Sequence, residues 1–351
     1  MPTGANLHAL RDHNAAAVLA LVRGSGRGSG SGSGADPGVS QAHLAAATGL
    51  TVQAISKIVR RLLDEGLIAA SGRVTSGIGK PTTLLRLVPG SRYAIGVHLG
   101  RDRQTVLLAD LAGRAVASRV RRGKLRAPDR ALSAVAEDIA VLLQDIPDER
   151  VLGVGLACPG PLDHRSGVLH RVTGLPAWHG LALRDRAEAV LGRVCAVDKD
   201  TTAAALSQPG PADRAFVYLA DGLGAGLVLG GRVHRGAGTD AGEFGHQVLD
   251  PDGPACRCGR RGCLEAYVLA DLGRGAVDQA AARLAQGIGN LTRLLDLDEI
   301  ILGGDAVLAE PEPYLAAAHA AGAPRAEIAQ AGPEAVALGA AALILRPLFD
   351  P

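Results

Sequence analysis

One imidazole and three thiols lie within an eighteen-residue stretch of the sequence, at His246, Cys256, Cys258 and Cys263. Nitrogen and sulfur ligands of this kind hold Zn²⁺ in four-coordinate structural sites. The residues between them are rich in glycine and proline, which suits a loop that folds around a metal. Because four protein ligands leave no open position on the ion, we predict a structural zinc site at residues 246–263 and no metal catalysis.

The other two cysteines, Cys158 and Cys195, lie on apolar, strand-like segments and are expected to be core residues. An odd number of cysteines, three of them crowded together, fits metal binding in a reducing cytosol better than a set of disulfides. The longest apolar stretches run about ten residues, against the ~20 that a membrane span needs. The N-terminus has no secretory signal pattern, so we expect a cytoplasmic protein with no membrane partner.

A second candidate site is the glycine-rich segment at residues 221–226, which follows an apolar strand. A dinucleotide-binding fingerprint requires such glycines to lead from a strand into a helix. Here they lead into another apolar strand at residues 227–230, so a Rossmann cofactor site is not expected. Two interpretations stay open, namely a hairpin that cradles a phosphate group and a tight turn that binds no ligand.

The elements that position these segments fall into two parts. Residues 7–22 predict a helix, and the Gly/Ser-rich residues 24–38 after it predict a flexible loop. Turn residues at 88–91 mark a boundary further along. We predict one domain over residues 1–88 and a second over residues 90–351.

The first of these domains has the pattern of a winged helix-turn-helix. Ser40 can cap a short helix at residues 40–47, and Thr51 can cap a second helix at residues 51–65 that Gly66 ends. The second helix carries one apolar stripe, formed by Ile55, Ile58, Val59, Leu62 and Leu63. Two strands follow, at residues 67–69 and 82–88, and predict a wing with Arg73 and Lys80 placed near phosphate.

Charge favours DNA binding at this end of the chain. Residues 1–92 carry ten Lys or Arg against four Asp or Glu, whereas the remainder carries 27 against 31. A basic front end on an acidic body predicts that only the front meets a polyanion. The alternative is a small helical bundle with a solvated charged face. The residues expected to contact operator DNA are Thr51, Gln53, Ser56, Lys57, Arg60, Arg61 and Lys80.

The rest of the chain reads as mixed α/β. Short strands at residues 94–99, 104–109 and 114–119 precede a helix at 130–144 and a buried strand at Val151–Cys158. Only eight of the 351 residues are aromatic. The cores must therefore be aliphatic, and stacking of bases on aromatic side chains is not the expected mode of action.

These patterns together resemble the ROK family (repressors, open reading frames and sugar kinases). The front resembles that family's winged helix-turn-helix from Leu44 to Leu67 and at residues 79–81. In the body the resemblance rests on five motifs, at residues 155–161, 175–178, 241–246, 256–265 and 300–304. It covers the chain from about Leu7 to Leu345.

The resemblance implies an α/β protein in which the winged helix-turn-helix precedes a two-lobed, actin-like and ribonuclease-H-like sugar-kinase fold. A sugar would lie in the cleft between the lobes. Carried over residue by residue, its contacts are Asp200, Glu243, His246 and Glu265, and Asp200 holds the position of the family's catalytic base. Carboxylates and imidazole suit a sugar because they hold vicinal hydroxyls in directional hydrogen bonds.

The chain departs from the family's kinases at several of these positions. Where they have Asp-x-Gly-x-Thr, residues 98–102 read His-Leu-Gly-Arg-Asp, so a carboxylate is missing and Arg101 adds bulk. Lys199 replaces the asparagine before Asp200, and Gly174 replaces another asparagine that would contact the sugar. The departures argue against phosphoryl transfer and against an ordinary hexose as ligand.

We therefore predict a DNA-binding repressor, a homodimer or homotetramer, whose body senses a carbohydrate or sugar-derived effector without phosphorylating it. Two alternatives stay open, an active ATP-dependent sugar kinase with an appended DNA-binding domain and a DNA-binding protein whose body is only a dimerisation scaffold.

Lys199 itself has two interpretations. The simpler is a salt bridge to Asp198 or Asp200, because a bare ammonium facing a cleft is costly. The other is that Lys199 binds an anionic ligand, a sugar phosphate or a sugar acid, with further positive charge from His98 and Arg101.

Overall fold

The computed structural model describes residues 7–25, 38–74, 82–125 and 127–350. The front domain contains three helices and three strands within these ranges, α1 (Leu7–Ser25), β1 (Val39–Ser40), α2 (Gln41–Thr48), α3 (Val52–Asp64), β2 (Ile68–Val74) and β3 (Thr82–Leu87). The strands form one sheet in the order β1-β3-β2. This is the predicted winged helix-turn-helix.

Local hydrogen bonds explain where α2 and α3 begin and end. Ser40 Oγ and Thr51 Oγ1 each accept a bond from the backbone N–H three residues later, at 3.1 and 3.2 Å. Gly49 (φ +70°) ends α2 and Gly66 (φ +68°) follows α3, both in the left-handed conformation that favours glycine. Both predicted helices are confirmed to within one residue at each end.

The predicted flexible loop and the wing differ in detail from the structure. Gly24 and Ser25, assigned to the loop, are the last residues of α1, where Ser25 Oγ donates to the carbonyl of Val22 at 2.8 Å. β2 continues to Val74 instead of ending at residue 69, because β3 pairs with it over this length. Residues 26–37 and 75–81, which include Lys80, lie outside the described residues.

The body begins with a first lobe, residues 93–199, built on a five-stranded sheet. Its elements are β4 (Tyr93–Leu99), β5 (Arg103–Asp110), β6 (Ala115–Arg122), α4 (Pro128–Leu142), β7 (Val151–Cys158), β8 (Leu162–Asp163), β9 (Val168–Leu169), α5 (Leu183–Leu191) and β10 (Cys195–Lys199). The sheet order is β10-β7-β4-β5-β6. β4, β5 and β6 are antiparallel neighbours, whereas β7 and β10 add in parallel.

A second lobe, residues 200–345, repeats this arrangement. Its elements are α6 (Asp200–Ala204), β11 (Arg214–Leu219), β12 (Leu223–Leu229), β13 (Arg232–His234), α7 (Leu264–Gly273), α8 (Val277–Leu295), β14 (Glu299–Gly303), α9 (Asp305–Ala309), α10 (Pro311–Ala320), β15 (Ala326–Ile328) and α11 (Ala335–Leu345). The sheet order is β13-β12-β11-β14-β15, with three antiparallel strands followed by two parallel ones. The two-lobed fold is therefore confirmed.

Two helices pack closely between the lobes. α11 follows the second sheet in the chain but packs on β4 and β7 of the first sheet, while α6 packs on β12 of the second. Glycines permit the close approach. A Cβ on Gly155 would collide with the carbonyl of Ala340, and a Cβ on Gly226 would collide with the carbonyl of Thr201. The contact at Gly155 joins the two lobes by direct packing of backbone on backbone, whereas the contact at Gly226 holds α6 on the sheet of its own lobe.

One apolar cluster, which we call the shared core, joins the front domain to the body. The front domain contributes aliphatic side chains, and residues 1–92 contain no Phe, Tyr or Trp. Members from the two ends of the chain include Val18, Leu19, Val22, Ala341, Leu345 and Phe349. The Arg23 guanidinium lies 3.7 Å from the centre of the Phe349 ring, a cation–π contact. The C-terminal end of the body therefore packs against the first helix.

The first lobe has its own aliphatic core around two buried cysteines and the only tryptophan. Cys158 on β7 and Cys195 on β10 are buried free thiols, as predicted, and Trp178 is 2% exposed. Burial raises the pKa of both thiols, that of Cys195 to about 12. Among the described residues, no helix combines the length and hydropathy that crossing a membrane requires.

Candidate functional site

Helix α3 packs one face on the shared core and turns the other to solvent. Ile55, Val59 and Leu62 are buried. Leu63, which the sequence places on the apolar stripe, is instead 40% exposed, because one further residue rotates a side chain by about 100° around the helix. On the solvent side, Gln53, Lys57 and Arg60 are exposed, and their spacing of three or four residues places them on one face.

The other predicted DNA contacts on α3 already have protein partners. Ser56 is half-buried, and its Oγ donates to Oε1 of Gln41 on α2 at 2.9 Å. The Arg61 guanidinium lies 3.8 Å from both the Asp12 and Glu65 carboxylates. The hydroxyl of Thr51 caps the helix. These three side chains support α3, while Lys80 lies outside the described residues.

The structure brings the four predicted metal ligands together. The ligand atoms of His246, Cys256, Cys258 and Cys263 all lie within 4.8 Å of one another. The sulfurs of Cys258 and Cys263 are 3.7 Å apart, and Cys256 Sγ lies 3.7 Å from His246 Nδ1. Sulfurs about 2.3 Å from a tetrahedral zinc would be separated by about 3.8 Å. Both the donor set and its spacing fit a four-coordinate metal site.

Tight turns build this cluster. The Cys256 N–H donates to the carbonyl of Arg260 at 2.8 Å, and Gly262 adopts a φ of +69° where its lack of a Cβ lets the chain cross residue 250. Burial by itself would raise the pKa of the Cys258 thiol. Hydrogen bonds from Arg260 and the neighbouring cysteines outweigh burial and lower that pKa to about 7, whereas burial raises the pKa of Cys256 and Cys263. Cys258 is therefore the thiol of the three that most readily forms the metal-binding thiolate.

His246 lies beside the boundary between the lobes, where Lys199 of the first lobe contacts Glu243 of the second; we call this boundary the cleft. Its Nδ1 faces Cys256, and its Nε2 lies 3.7 Å from Glu243 Oε2. Glu265 approaches from the other side, with Oε1 4.0 Å from Cys256 Sγ and Oε2 accepting the Leu223 N–H at 3.0 Å. Three of the predicted sugar contacts, Glu243, His246 and Glu265, thus lie at the cluster of candidate metal ligands.

Asp200 lies where β10 ends and α6 begins. Its Oδ1 accepts the N–H of Thr201 at 2.7 Å. Burial raises the pKa of this carboxyl to about 6, and the positive charge of Lys199 opposes part of that increase. A carboxyl group that titrates near neutrality is able to accept a proton from a hydroxyl group.

Lys199 forms an ion pair, but with neither predicted partner. Its Nζ contacts Oε1 of Glu243, on the second lobe. Successive side chains of a strand point to opposite faces. The Asp198 carboxylate therefore accepts the backbone N–H of Lys199 at 2.9 Å but pairs with Arg235 Nη2, at 2.6 Å, and not with the Lys199 ammonium. The predicted bridge to Asp198 or Asp200 is therefore wrong, because strand geometry and the fold place Glu243 nearer to the ammonium.

Of the two positive charges that the sequence predicted in the hairpin between β4 and β5, the structure supports that of Arg101 and not that of His98. His98 is 5% exposed, and burial, helped by the charge of Arg103, lowers its pKa to about 4. The ring is neutral at neutral pH, so the predicted positive charge there is wrong. Arg101 Nε lies 3.2 Å from Asp221 Oδ2 in the facing hairpin. A Cβ on Gly174 would lie 3.2 Å from the same guanidinium.

The glycine-rich residues 221–226 form the predicted hairpin between β11 and β12. Asp221 and Gly222 make the turn, whereas Gly224 and Gly226 lie inside β12. A Cβ on Gly224 would lie 3.0 Å from the Thr201 side chain, and one on Gly226 would meet the Thr201 carbonyl. These two glycines therefore serve the packing of α6 on the sheet, which favours the interpretation without a phosphate for them.

Comparison with protein families matches both parts of the chain. The ROK family matches residues 94–273, and the MarR family matches residues 33–74. The chain is 25% identical over 268 residues to the xylose repressor of Bacillus subtilis (strain 168), which is 74% of this chain and 69% of that protein. It is 26% identical over 270 residues to the DNA-binding transcriptional dual regulator NagC of Escherichia coli (strain K12), covering 74% and 63%.

Solved structures show the same fold. A ROK family transcriptional regulator, a homolog of the E. coli MLC protein, aligns with a TM-score of 0.75 at 22% identity and covers 97% of both chains. The ROK hexokinase from Thermus thermophilus aligns with a TM-score of 0.59 at 30% identity, covering 71% of this chain and 96% of that one. The first likeness extends over the front domain and both lobes.

Proposed function

Because the chain belongs to the ROK family, we propose that it is a DNA-binding transcriptional repressor whose body binds a sugar-derived effector without phosphorylating it. The observation that carries the proposal is the exposed polar face of α3, on a winged helix that packs against a ROK body. Relatives named as a xylose repressor and as a transcriptional regulator support the same assignment.

In this proposal α3 enters the major groove of operator DNA. Gln53 and Lys57, near the helix start, read base edges, and Arg60 contacts phosphate. Ser56 and Arg61 contribute by holding α3 in place, given their bonds to Gln41 and to Asp12 and Glu65. The repressor acts as a homodimer or homotetramer on a palindrome with half-sites about one or two helical turns apart.

Footprinting on the DNA upstream of its own gene tests this assignment. Arg60→Ala should weaken binding to all sequences alike and reduce the salt slope by about one. Lys57→Ala should instead lower the discrimination between bases by about 1–3 kcal/mol. Arg150→Ala, at an exposed arginine of the body, is the matched control. A Lys57/Arg60 double variant that protects the operator like the parent chain would refute it.

We also propose that the body does not transfer phosphate. The Arg101–Asp221 ion pair spans the two hairpins that face each other across the cleft, and the buried neutral ring of His98 occupies the position where kinases of the family have a carboxylate. A functional kinase is the second candidate, favoured by the pKa of about 6 at Asp200, which suits a general base.

A coupled assay with ATP and xylose, glucose or N-acetylglucosamine separates these two candidates. The repressor proposal expects ADP release that sugars do not increase. Sugar-dependent ADP release that Asp200→Asn abolishes would establish the kinase instead. If no sugar or sugar derivative changes the thermal midpoint of the full chain, the body is a dimerisation scaffold.

We also propose a structural zinc site at residues 246–263. His246, Cys256, Cys258 and Cys263 would hold one Zn²⁺ per chain, which, when bound, supplies a structural cross-link and no reaction chemistry. The cross-link would fix the imidazole of His246, with its Nε2 directed at Glu243. Reduced thiols of this kind suit the cytoplasm, where we place the protein.

A further inference from the structure

Lys199 is a cation in the cleft, and its contacts indicate which charge a bound ligand should carry. Its side chain is 10% exposed and reaches from the end of β10 to Glu243 on the second lobe. Gly160 leaves room for the aliphatic stem, because a Cβ there would lie 3.3 Å from Lys199 Cδ. The first lobe thus delivers one fixed ammonium group to the proposed effector site.

Both carboxylate oxygens of Glu243 already face groups of the protein. Oε1 contacts Lys199 Nζ, and Oε2 lies 3.7 Å from Nε2 of His246. A hydroxyl of a neutral sugar that binds Glu243 must therefore compete with the ammonium. Displacing the carboxylate would break the ion pair of Lys199 and leave this buried ammonium only the more distant charge of Asp200, which is unfavourable. The arrangement selects against a neutral ligand at this position.

The cleft contains a second cation in a similar arrangement. Arg101 pairs with Asp221, whose side chain is 42% exposed, and the Glu243 side chain is 41% exposed. Breaking an ion pair costs little for a carboxylate that is partly exposed, because water already solvates that carboxylate. An anionic ligand can thus replace Glu243 beside Lys199 without leaving a buried charge unpaired.

We propose that the effector carries an anionic group, as a sugar acid or a sugar phosphate does, and that Lys199 binds this group. Glu243 then turns to the hydroxyls of the same ligand, which its acceptor oxygens suit. Lys199 is in this way the residue that determines specificity for an anionic over a neutral sugar. This inference rests on the proposed effector-binding function of the body.

Titration calorimetry on the full chain tests the inference with glucose, gluconate and glucose 6-phosphate, and with xylose and xylonate. In each set, at least one anionic ligand should bind more tightly than the neutral sugar, by a factor of about ten or more in Kd, given the strength of charge-assisted hydrogen bonds. Comparison of gluconate with glucose 6-phosphate distinguishes a carboxylate from a phosphate ligand. Sodium sulfate at matched ionic strength controls for non-specific anion binding.

Variants at the ion pair make the test specific. Lys199→Asn should remove or reverse the preference for anions, whereas Lys124→Asn, at an exposed lysine of the first lobe, should leave it unchanged. Glu243→Gln keeps the side-chain shape but frees Lys199, so anion binding should strengthen several-fold while neutral-sugar binding does not. A pair with a purely structural role would weaken all ligands together.

Three results would overturn the inference: tighter binding of a neutral sugar by the parent chain, an unchanged preference in Lys199→Asn, or no binding of any of these ligands. If Lys199→Asn does not fold, Glu243→Gln decides by the direction of its effect on anions. Operator footprinting with the α3 variants is independent of these ligands, so failure here is distinguishable from failure of the proposed DNA-binding function.

Discussion

Two buried groups beside the cleft give folding stability opposite dependences on pH. Burial, with the charge of Arg103, lowers the pKa of His98 to about 4, and burial raises the pKa of Asp200 to about 6. The two pKa shifts have opposite directions and cover nearly the same pH range. The effect of one group on the free energy of unfolding therefore partly cancels the effect of the other. Removal of one should expose the other.

The sign follows from which state binds the proton. Between about pH 6.5 and pH 4 the unfolded chain protonates His98 and the folded chain does not, so the stabilisation present above that range is lost as the pH falls. From about pH 7 to pH 5 the loss amounts to about 2 kcal/mol. Asp200 is protonated in the folded chain below about pH 6 but in the unfolded chain only below about pH 4, so over the same interval it adds about 1 kcal/mol.

The free energy of unfolding of Asp200→Asn and of the parent chain can be compared by urea unfolding, followed by circular dichroism at about pH 7 and about pH 5. The variant should lose about 1 kcal/mol more than the parent chain on acidification, because only the contribution of Asp200 differs between them. The four candidate metal ligands are the same in both proteins, so the pH dependence of any metal binding cancels in the comparison. Asp252→Asn, at an exposed acid, should behave like the parent.

The reverse substitution sharpens the test. His98→Asn removes the loss of about 2 kcal/mol and leaves the gain of about 1 kcal/mol from Asp200. Between about pH 7 and pH 5 the free energy of unfolding of this variant should therefore rise by about 1 kcal/mol, while that of the parent falls by about 1 kcal/mol. Equal changes in the parent chain and in both variants would contradict this prediction, since they would mean that neither group shifts its pKa on folding.

Three further outcomes are expected. Elemental analysis should find one zinc per chain, lost in Cys258→Ser but retained in Cys195→Ser; protein purified without chelators and free of metal would contradict the site. Phe349→Ala should lower the free energy of unfolding by about 3–5 kcal/mol, because the ring is 2% exposed and in contact with Arg23. Phe349→Leu should lower it by less, and equal decreases for the two variants in denaturant titrations would show that the aromatic ring is not what stabilises this contact. Thr51→Ala should cost about 1 kcal/mol through the lost cap of α3 and Thr51→Ser much less, so a neutral Thr51→Ala in the same titrations would show that the cap does not stabilise the helix.

Features encoded by neighbouring residues could be predicted from the sequence. Ser40 and Thr51 cap helices through bonds to residues three positions away, and the four candidate metal ligands span one short loop, so local patterns were sufficient for both. The partner of Lys199 was not predictable in this way. Glu243 is 44 residues away in the chain and lies on the other lobe, so the contact depends on how the lobes are packed.

The repeated sheet order of the two lobes was also absent from the sequence-based interpretation. Strand order is set by which strands pair, and the two lobes share no sequence repeat of fixed period through which that order could be read. The neutral state of His98 has a similar origin. A histidine at the end of an apolar strand gives no indication of burial until the facing lobe, with Tyr218 edge-on at 6.4 Å, covers it.

The aliphatic composition of the front domain has a spectroscopic consequence. Every aromatic residue lies at or beyond Tyr93, and the single tryptophan, Trp178, is buried in the first lobe. Tryptophan fluorescence therefore reports on the first lobe alone, while far-ultraviolet dichroism also includes the helices of the front domain. If the shared core makes the chain one cooperative unit, the two signals must follow a single transition. Separate transitions would mean that a part of the chain outside the first lobe unfolds independently, without changing the tryptophan fluorescence.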